Sequence, residues 1–549
     1  MEEKSEIKFN KKYIIYAALF ILLLLGGYLR FHHADYPVIG YHNWKETHYL
    51  TEARNFNNDG FFKNGFFVPE WDYPSIGSDS TGVHADTFPT TSILVGLGFK
   101  IFGESLVVAR MVGILCSLGS IFLMFKICKK MFGRDDIAFV SAGLMAISPL
   151  FVFFSRNVQL INPALLFMML SWYFFLDCRK TFSLKSGILT TVFLMLAGLT
   201  KYPFLLIALP MLATIPWKKA LTDVKANIKN YVIYIACMLP LPLWFVYSKI
   251  IEGRAGVTTV SGGLIEFEAI FRNAWWTAMK SYVADNYTLI GFGLAIAGLL
   301  LVYFFRKKHF GNKFILWYAA AAVPWIIVMG DKLGQHSYHQ YPIAPLIIIL
   351  MSYAIVAIGT NLAGIIGKGA VRDYAKIGIL IVLVVLMLSP VGSLTAMNRQ
   401  FDVQFFGLEV AGDYIKEHSS PEERILFPRG QSFGILWHAD RKGYGINNPT
   451  LDQIKQAEEK GVTWIFAYQW GLQLMQNEEA VAYLSNTYSL EQVGFMNNGQ
   501  EAQLAYLLFK KGGSFTQEEL QQFPANHGIQ TTPYDFSYGA VELSHSSKN

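Results

Sequence analysis

The sequence predicts a polytopic α-helical membrane protein carrying a small α/β domain at its C-terminal end, on three observations. Of 549 residues, 53% are hydrophobic and only 16% charged, against about 25% charged in an ordinary soluble domain. Apolar runs approaching the roughly 20 residues that span a bilayer recur through the first 397 residues. Residues 398–549 lack such runs and carry 11 basic against 18 acidic residues, whereas residues 1–397 carry 35 against 22. These features exclude a soluble globular protein, a disordered chain and a disulfide-stapled secreted fold. A basic membrane part with an acidic tail is ordinary for a helical bundle bearing a soluble domain, so no nucleic-acid partner is implied. Cys116, Cys128, Cys178 and Cys237 all lie in or beside apolar segments, so no disulfide is expected.

The apolar runs fall near 13–30, 106–125, 137–154, 161–177, 187–200, 202–216, 231–248, 287–305, 314–330, 341–359 and 377–394. About eleven transmembrane helices follow, with the short pair around Lys201 the least regular. Lys4, Lys8, Lys11 and Lys12 precede the first run and no small-residue cleavage site follows it, which predicts a retained anchor. Alternate loops contain Lys126/Lys129/Lys130/Arg134, Arg179/Lys180/Lys185, Lys218/Lys219/Lys225/Lys229, Arg306/Lys307/Lys308/Lys313 and Lys368/Arg372/Lys376. The positive-inside bias places them, with the N-terminus, in the cytoplasm. An odd number of spans then puts the tail outside, in a multi-pass plasma (inner) membrane protein.

The first loop, 31–105, is long, polar and aromatic. Within it, 42–58 and 90–102 have helical periodicity but are too short or too polar to cross, which predicts helices lying at the interface. Two further external segments, 249–286 and 331–340, are polar. In the tail, helical stretches at 407–418, 450–460 and 476–486 alternate with apolar runs at 424–427, 462–467 and 502–509, the pattern of a small α/β domain.

Four groups of residues are placed to carry chemistry. In His42-Asn-Trp-Lys45-Glu46-Thr-His48-Tyr49, Glu46 follows His42 by four residues and precedes Tyr49 by three, so a helix puts them on one face. A carboxylate among histidines suits proton abstraction or metal binding. The alternative is an interfacial helix whose charges face water, and spacing alone favours that. In Val83-His-Ala-Asp-Thr-Phe-Pro89, Asp86 is a base or metal ligand, or, as local sequence favours, the N-cap of helix 90–102. Arg156 and Lys201 are charges at the ends of spans; snorkelling explains Arg156, while Lys201, two residues before Pro203, reads as an anion contact. His336 and His339 in Gly334-Gln-His-Ser-Tyr338-His-Gln-Tyr-Pro342 suit metal or phosphate binding as well as a wet loop. No P-loop or HExxH sequence is present.

The order of these features resembles the C superfamily of membrane glycosyltransferases (GT-C), in particular the bacterial branch similar to protein O-mannosyltransferases and the lipid A aminoarabinose transferase. The residues that carry the resemblance are the acidic first-loop helix, Phe88-Pro89 followed by Phe99-Lys-Ile-Phe-Gly103, Ala109-Arg110, Ser148-Pro149 with Ser155-Arg156, Leu199-Thr-Lys201, the loop from His336 to Pro345, and Leu436-Trp-His-Ala-Asp-Arg-Lys-Gly-Tyr444. The resemblance implies a GT-C-like fold and transfer of a sugar from a polyprenyl phosphate to a lipid, glycan or protein acceptor, by inverting displacement with a first-loop carboxylate as base. Glu46 is then the candidate base, with Asp86 beside it. Lys201 and the 336–339 loop would contact the donor phosphate, with His42, Lys45, Tyr49 and Arg156 as further substrate contacts. A divalent metal ion is the one cofactor left open, with His48, Glu46 and Asp86 as candidate ligands. The family's usual Asp-Glu pair in the first-loop helix is here Lys45-Glu46, and in a related branch's pattern His48 stands for an aspartate. Two other classes stay open: a transporter or flippase, for which no inverted repeat or deep polar chain speaks, and a non-catalytic assembly protein of the same fold.

Overall fold

A computed structural model describes residues 11–77, 81–222, 224–255, 267–387, 402, 404–497, 502–536 and 539–548. The end of the predicted 377–394 span, residues 256–266 of the polar 249–286 segment, the 397/398 boundary, and Lys4 and Lys8 lie outside the described residues. The chain packs as two units: Met1–Ala34, Arg110–Phe245 and Val260–Met397 form one, and Asp35–Ala109, Val246–Thr259 and Asn398–Asn549 the other. The first loop therefore belongs to the same unit as the tail.

The first unit is helical. It opens with α1 (Lys11–Phe31). Six helices among the described residues are long and apolar enough to cross a membrane, or up to eight if each of two bent pairs is one span. The bent pairs are Asp135–Ile147 with Pro149–Arg156, at 53°, and Asn273–Tyr287 with Leu289–Phe304, at 89°. The runs expected near 187–200 and 202–216 form the shorter apolar helices Leu184–Thr200 and Tyr202–Thr214. Pro203 follows the break between them, and the chain restarts as a 3₁₀ turn at Tyr202–Ile207. The last run forms Gly369–Met387. Helices Leu289–Phe304 and Ala344–Ile366 approach so closely that a Cβ on Gly298 would sit 1.9 Å from the Leu350 carbonyl oxygen, so only glycine fits there.

The 53° bend has a specific partner. Pro149 has no N–H for the Met145 carbonyl, which would otherwise accept it one turn earlier. Arg30, fully buried, supplies the missing donors: Nη2 to Met145 O at 3.2 Å and Nη1 to Ala146 O at 2.7 Å. Its remaining contacts are Nε to Ser117 Oγ at 2.8 Å and Nη1 to Gly26 O at 3.0 Å.

In the second unit, α2 (Asn43–Asp59) and α3 (Thr90–Phe102) of the first loop pack with a seven-stranded sheet. The strands are β1 (Arg424–Phe427), β2 (Gly443–Gly445), β3 (Val462–Tyr468), β4 (Tyr488–Asn497), β5 (Ala502–Lys511), β6 (Gln530–Phe536) and β7 (Gly539–Ser547), in spatial order β2-β1-β3-β5-β4-β7-β6. β1 pairs in parallel with β2 and β3, and the other pairs are antiparallel. The two-residue period of a strand divides the apolar side chains between two faces. Ile425, Phe427, Trp464 and Phe466 enter one core, and Leu426, Ile465 and Ala467 the other. Three expected strands and three expected helices occur, the last as Leu408–His418, Leu451–Glu459 and Glu478–Thr487. Strands β2, β4, β6 and β7 are additional.

The first loop is stitched into this domain. Ile39 is part of the sheet core, and its carbonyl accepts Phe405 N–H at 2.6 Å. Val38 N–H donates to His438 Nε2 at 3.1 Å, Asn43 Nδ2 to Gln431 O at 2.5 Å, and Gly443 N–H to Asp72 O at 2.8 Å. A Cβ on Gly434 would lie 1.9 Å from Val38 O. The expectation that the charges of α2 face water is thereby corrected: Glu46, His48, Glu52 and Arg54 are all buried.

Replacing Arg30 by methionine keeps most of the volume but orphans the Met145 and Ala146 carbonyls, at about 1–3 kcal/mol per unsatisfied buried group. Thermal unfolding of purified Arg30→Met should show a clear loss of stability. A transition matching the natural protein would mean that the bend does not need the guanidinium.

Candidate functional site

Two clusters of chemistry-bearing side chains arise, one in each unit. In the sheet-bearing unit, α2 is the organising element. It starts at His42, whose backbone takes a left-handed φ of 63° as N-cap, and runs on to Asp59. His42, Glu46 and Tyr49 are buried, Lys45 is half-buried, and Lys45 Nζ stands 4.3 Å from the centre of the Trp44 ring.

Arg54 holds α2 against the Leu436–Tyr444 motif. Its Nη1 pairs with Asp440 Oδ1 at 2.8 Å, its Nε with Glu104 Oε1 at 2.8 Å, and its Nη2 donates to Trp437 O at 2.9 Å. The guanidinium also lies 4.0 Å over the Trp437 ring. Charge, hydrogen-bond geometry and stacking are all used, a combination lysine cannot reproduce.

His48 anchors a second network. Its Nε2 lies 3.1 Å from Glu52 Oε1, its Nδ1 bonds the Tyr73 hydroxyl, and Glu52 also accepts from Ser92 of α3. Next to it, residues 69–84 fold back on themselves: Trp71 N–H donates to Gly82 O and His84 N–H to Pro69 O, both at 3.1 Å. Trp71 stacks between Tyr73 (4.6 Å, 16°) and His84 (4.1 Å, 17°). Burial lowers the His84 pKa to about 3, with the charges of His48, Lys45 and Lys249 adding to the effect. Burial likewise raises Asp72, against the opposing pull of Arg54, the Asn55 hydrogen bond and Lys442.

Asp86 follows this fold-back and is exposed. The expectation that it caps α3 is corrected: the N-cap is Pro89, with no side-chain hydrogen bond. Asp86 lies three residues too early for the capping position.

In the helical unit, the expected phosphate contacts converge on Tyr338. Lys201, the C-cap of Leu184–Thr200, brings Nζ to 4.6 Å from the Tyr338 ring centre. His336 stacks parallel to that ring at 5.5 Å and 10°, and His339 packs on it at 4.3 Å. Tyr338 is buried, while Lys201, His336 and His339 are half-buried. The position of the cation follows from the break before Pro203, which ends one helix at Lys201. Arg156 has a structural bond, Nη1 to His33 O at 2.9 Å.

Among the described residues, no group of three or more His, Cys, Asp or Glu side chains is arranged to hold a metal ion. Of the candidate ligands His48, Glu46 and Asp86, His48 has both ring nitrogens engaged by Tyr73 and Glu52. Sequence reasoning missed Tyr73, Trp71 and the joint role of Glu52 and Ser92, because their partners are distant in sequence.

The protein family described as dolichyl-phosphate-mannose-protein mannosyltransferase matches residues 84–245. No curated protein matches at a significant level. Among solved structures, the apo oligosaccharyltransferase of Archaeoglobus fulgidus is similar with a TM-score of 0.57 at 12% identity, covering 96% of this chain and 80% of that one. The archaeal oligosaccharyltransferase AglB from the same organism, in complex with an inhibitory peptide and a dolichol-phosphate, gives 0.55 at 13% identity, covering 90% and 74%. ArnT from Cupriavidus metallidurans bound to undecaprenyl phosphate gives 0.52 at 12%, covering 97% and 98%. The chain has the GT-C fold of these membrane glycosyltransferases, and it is a multi-pass membrane protein.

His84 provides a pH test of the buried cluster. Its folded pKa of about 3 lies below the ordinary 6.5, so between those values the unfolded chain binds one more proton. Its contribution therefore weakens as pH falls from 6.5 towards 3, by up to about 1.4 kcal/mol per unit. Unfolding of His84→Gln, followed against pH, should lose that one-proton slope; an unchanged slope would place the histidine in water.

Proposed function

We propose that this protein is a glycosyltransferase. It takes a sugar from a polyprenyl-phosphate donor and transfers it to a hydroxyl of a lipid, glycan or protein at the extracytoplasmic face of the plasma (inner) membrane. The observation that carries the reading is the convergence of Lys201, His336 and His339 on Tyr338 in a GT-C fold. Relatives in that fold have been solved with dolichol-phosphate and with undecaprenyl phosphate, and the family matching residues 84–245 is named for a dolichyl-phosphate sugar donor.

The chemistry asks little covalent help. The acceptor oxygen attacks the anomeric carbon as the bond from that carbon to the phosphate oxygen breaks, with inversion. The lipid phosphate leaves with the bonding pair, so cationic and N–H-bearing groups at the phosphate stabilise the charge that grows there. Lys201 supplies a full charge, and His336 and His339 supply ring N–H donors. The acceptor proton passes to a carboxylate. Of the two candidates, Asp86 is exposed, whereas Glu46 is buried in the packing of α2. We assign the base to Asp86 and a supporting place to Glu46. Lys45, where the family has an aspartate, is then no obstacle to turnover.

Lys201→Ala should weaken binding of undecaprenyl phosphate by about 1.5–3 kcal/mol, the worth of a hydrogen bond to a charged group, or roughly ten- to a hundred-fold. Unchanged affinity in a folded variant would remove Lys201 from the donor site.

Asp86→Asn, which keeps shape but not basicity, should lower turnover of a lipid-phosphate sugar by roughly 10²–10⁴-fold with donor affinity retained. Glu46→Gln should cost less. If Glu46→Gln alone abolishes turnover, the two carboxylates are reversed; if neither variant matters, the catalytic reading fails.

A further inference from the structure

The turn that follows α2 places its aromatic rings in a way the transfer chemistry does not explain. Its sequence, Gly60-Phe-Phe-Lys-Asn-Gly-Phe-Phe67, carries two Phe-Phe pairs, and in each pair one ring points in and one out. Phe61 packs on Phe56 at 5.2 Å, and Phe67 packs on Phe88 at 5.6 Å. Phe62 and Phe66 are 62% and 59% exposed, their ring centres 6.2 Å apart. The backbone is bent to hold this arrangement. Gly65 has φ of 122°, and Phe67 has φ of 50°, a left-handed conformation that a bulky residue rarely adopts.

Two contacts fasten this turn to a neighbouring helix. Phe66 N–H donates to the Tyr247 hydroxyl at 2.9 Å, and a Cβ on Gly65 would fall 2.5 Å from that oxygen. Tyr247 belongs to Asn227–Ala255, one of the membrane-crossing helices, whose neighbouring side chains Val246 and Ile250 are exposed. The turn is thus fastened beside the exposed apolar surface of a helix long and apolar enough to cross a membrane. The end of α3 adds to the same chemistry: Ile101 and Phe102 are exposed, and they precede the span Leu106–Phe132 by a few residues. Lys100 Nζ lies 5.1 Å from the Phe61 ring and ties α3 to the turn.

We propose that residues 60–67 form a membrane-inserted wedge, with the Phe62 and Phe66 rings in the boundary between headgroups and acyl chains and Ile101 and Phe102 beside them. Exposed rings cost free energy in water and gain it in lipid, and aromatic side chains favour the interfacial zone. Through the Phe67–Phe88 contact the wedge seats the segment carrying Asp86 at a fixed depth. That consequence for catalysis rests on the proposed function, whereas the insertion itself does not.

The test measures depth and needs no substrate. A nitroxide is attached at cysteine placed by Phe62→Cys, Phe66→Cys or, as an exposed control, Asn58→Cys, in the full chain reconstituted in phosphatidylethanolamine/phosphatidylglycerol nanodiscs. The natural protein treated with the same label provides the blank for its own cysteines. Labels at 62 and 66 should collide with oxygen more than with a water-soluble nickel chelate, and the label at 58 should do the reverse. Equal chelate access at all three positions would overturn the wedge. A photoreactive benzoyl group on the rings of Phe62 and Phe66 tests the same contact without cysteines: lipid adducts support insertion, and adducts confined to protein or water refute it. Loss of turnover in Asp86→Asn has no bearing on either readout, so the wedge and the catalytic reading fail separately.

Discussion

A buried guanidinium with no carboxylate against it must find neutral acceptors, and the helical unit is arranged around that requirement. Arg30 bonds two carbonyls that the Ser148-Pro149 break leaves exposed, one carbonyl of its own helix and the Ser117 hydroxyl. The bend it stabilises turns Pro149–Arg156 so that Arg156 reaches the His33 carbonyl. Arg110 bonds the Ala34 carbonyl at 3.1 Å from another helix. Three arginines thus fix the point where α1 ends and the first loop begins. Charge at this place has a structural purpose, and the cation proposed for the donor phosphate is a different residue, Lys201.

The sheet-bearing unit solves a related problem differently. At two places its buried charges are matched by charge: Arg54 by Asp440 and Glu104, and Glu70 by Lys442. Losing one partner of such a group leaves the other buried and uncompensated, which is more costly than never having buried the pair. The motif around Trp437 and the first-loop helix therefore have to change together. The coupling gives the Leu436–Tyr444 stretch a structural task that is independent of any ligand.

Much of this was legible in the chain. The short apolar runs at 424–427 and 462–467 report strands buried on both faces, and the helical period of 42–58 locates α2 to within a residue. The cationic position of Lys201 follows from the proline two residues after it. What could not be read is burial that depends on remote partners. Arg54 meets Trp437 across 383 residues, and no local period records that, so α2 reads as a surface helix until the tail is present. The capping reading of Asp86 failed for a local reason: the helix starts at Thr90 as expected, and Pro89 takes the cap position three residues past the aspartate. Strand β2, only three residues long between glycines, carries too short a pattern to announce itself.

The composition of the sheet-bearing unit has a consequence for how the chain is threaded. Residues 35–109, 246–259 and 398–549 pack as one body, so all three must emerge on the same side of the bilayer. The stretch between any two of them then crosses an even number of times. With each bent pair counted as one crossing, the stretch from Leu106 to Ala255 has four long spans, and Leu184–Thr200 and Tyr202–Thr214 must cross together or not at all. The later stretch has three, in Asn273–Phe304, Phe310–Val328 and Ala344–Ile366. An even number there asks for one crossing more, which Gly369–Met387, 19 residues long, is placed to supply. Synthesis reaches Asp440 long after α2 is made, so Arg54 has Glu104 of the first loop at hand, and His48 has Glu52, well before the final 150 or so residues bring the remaining partner of Arg54.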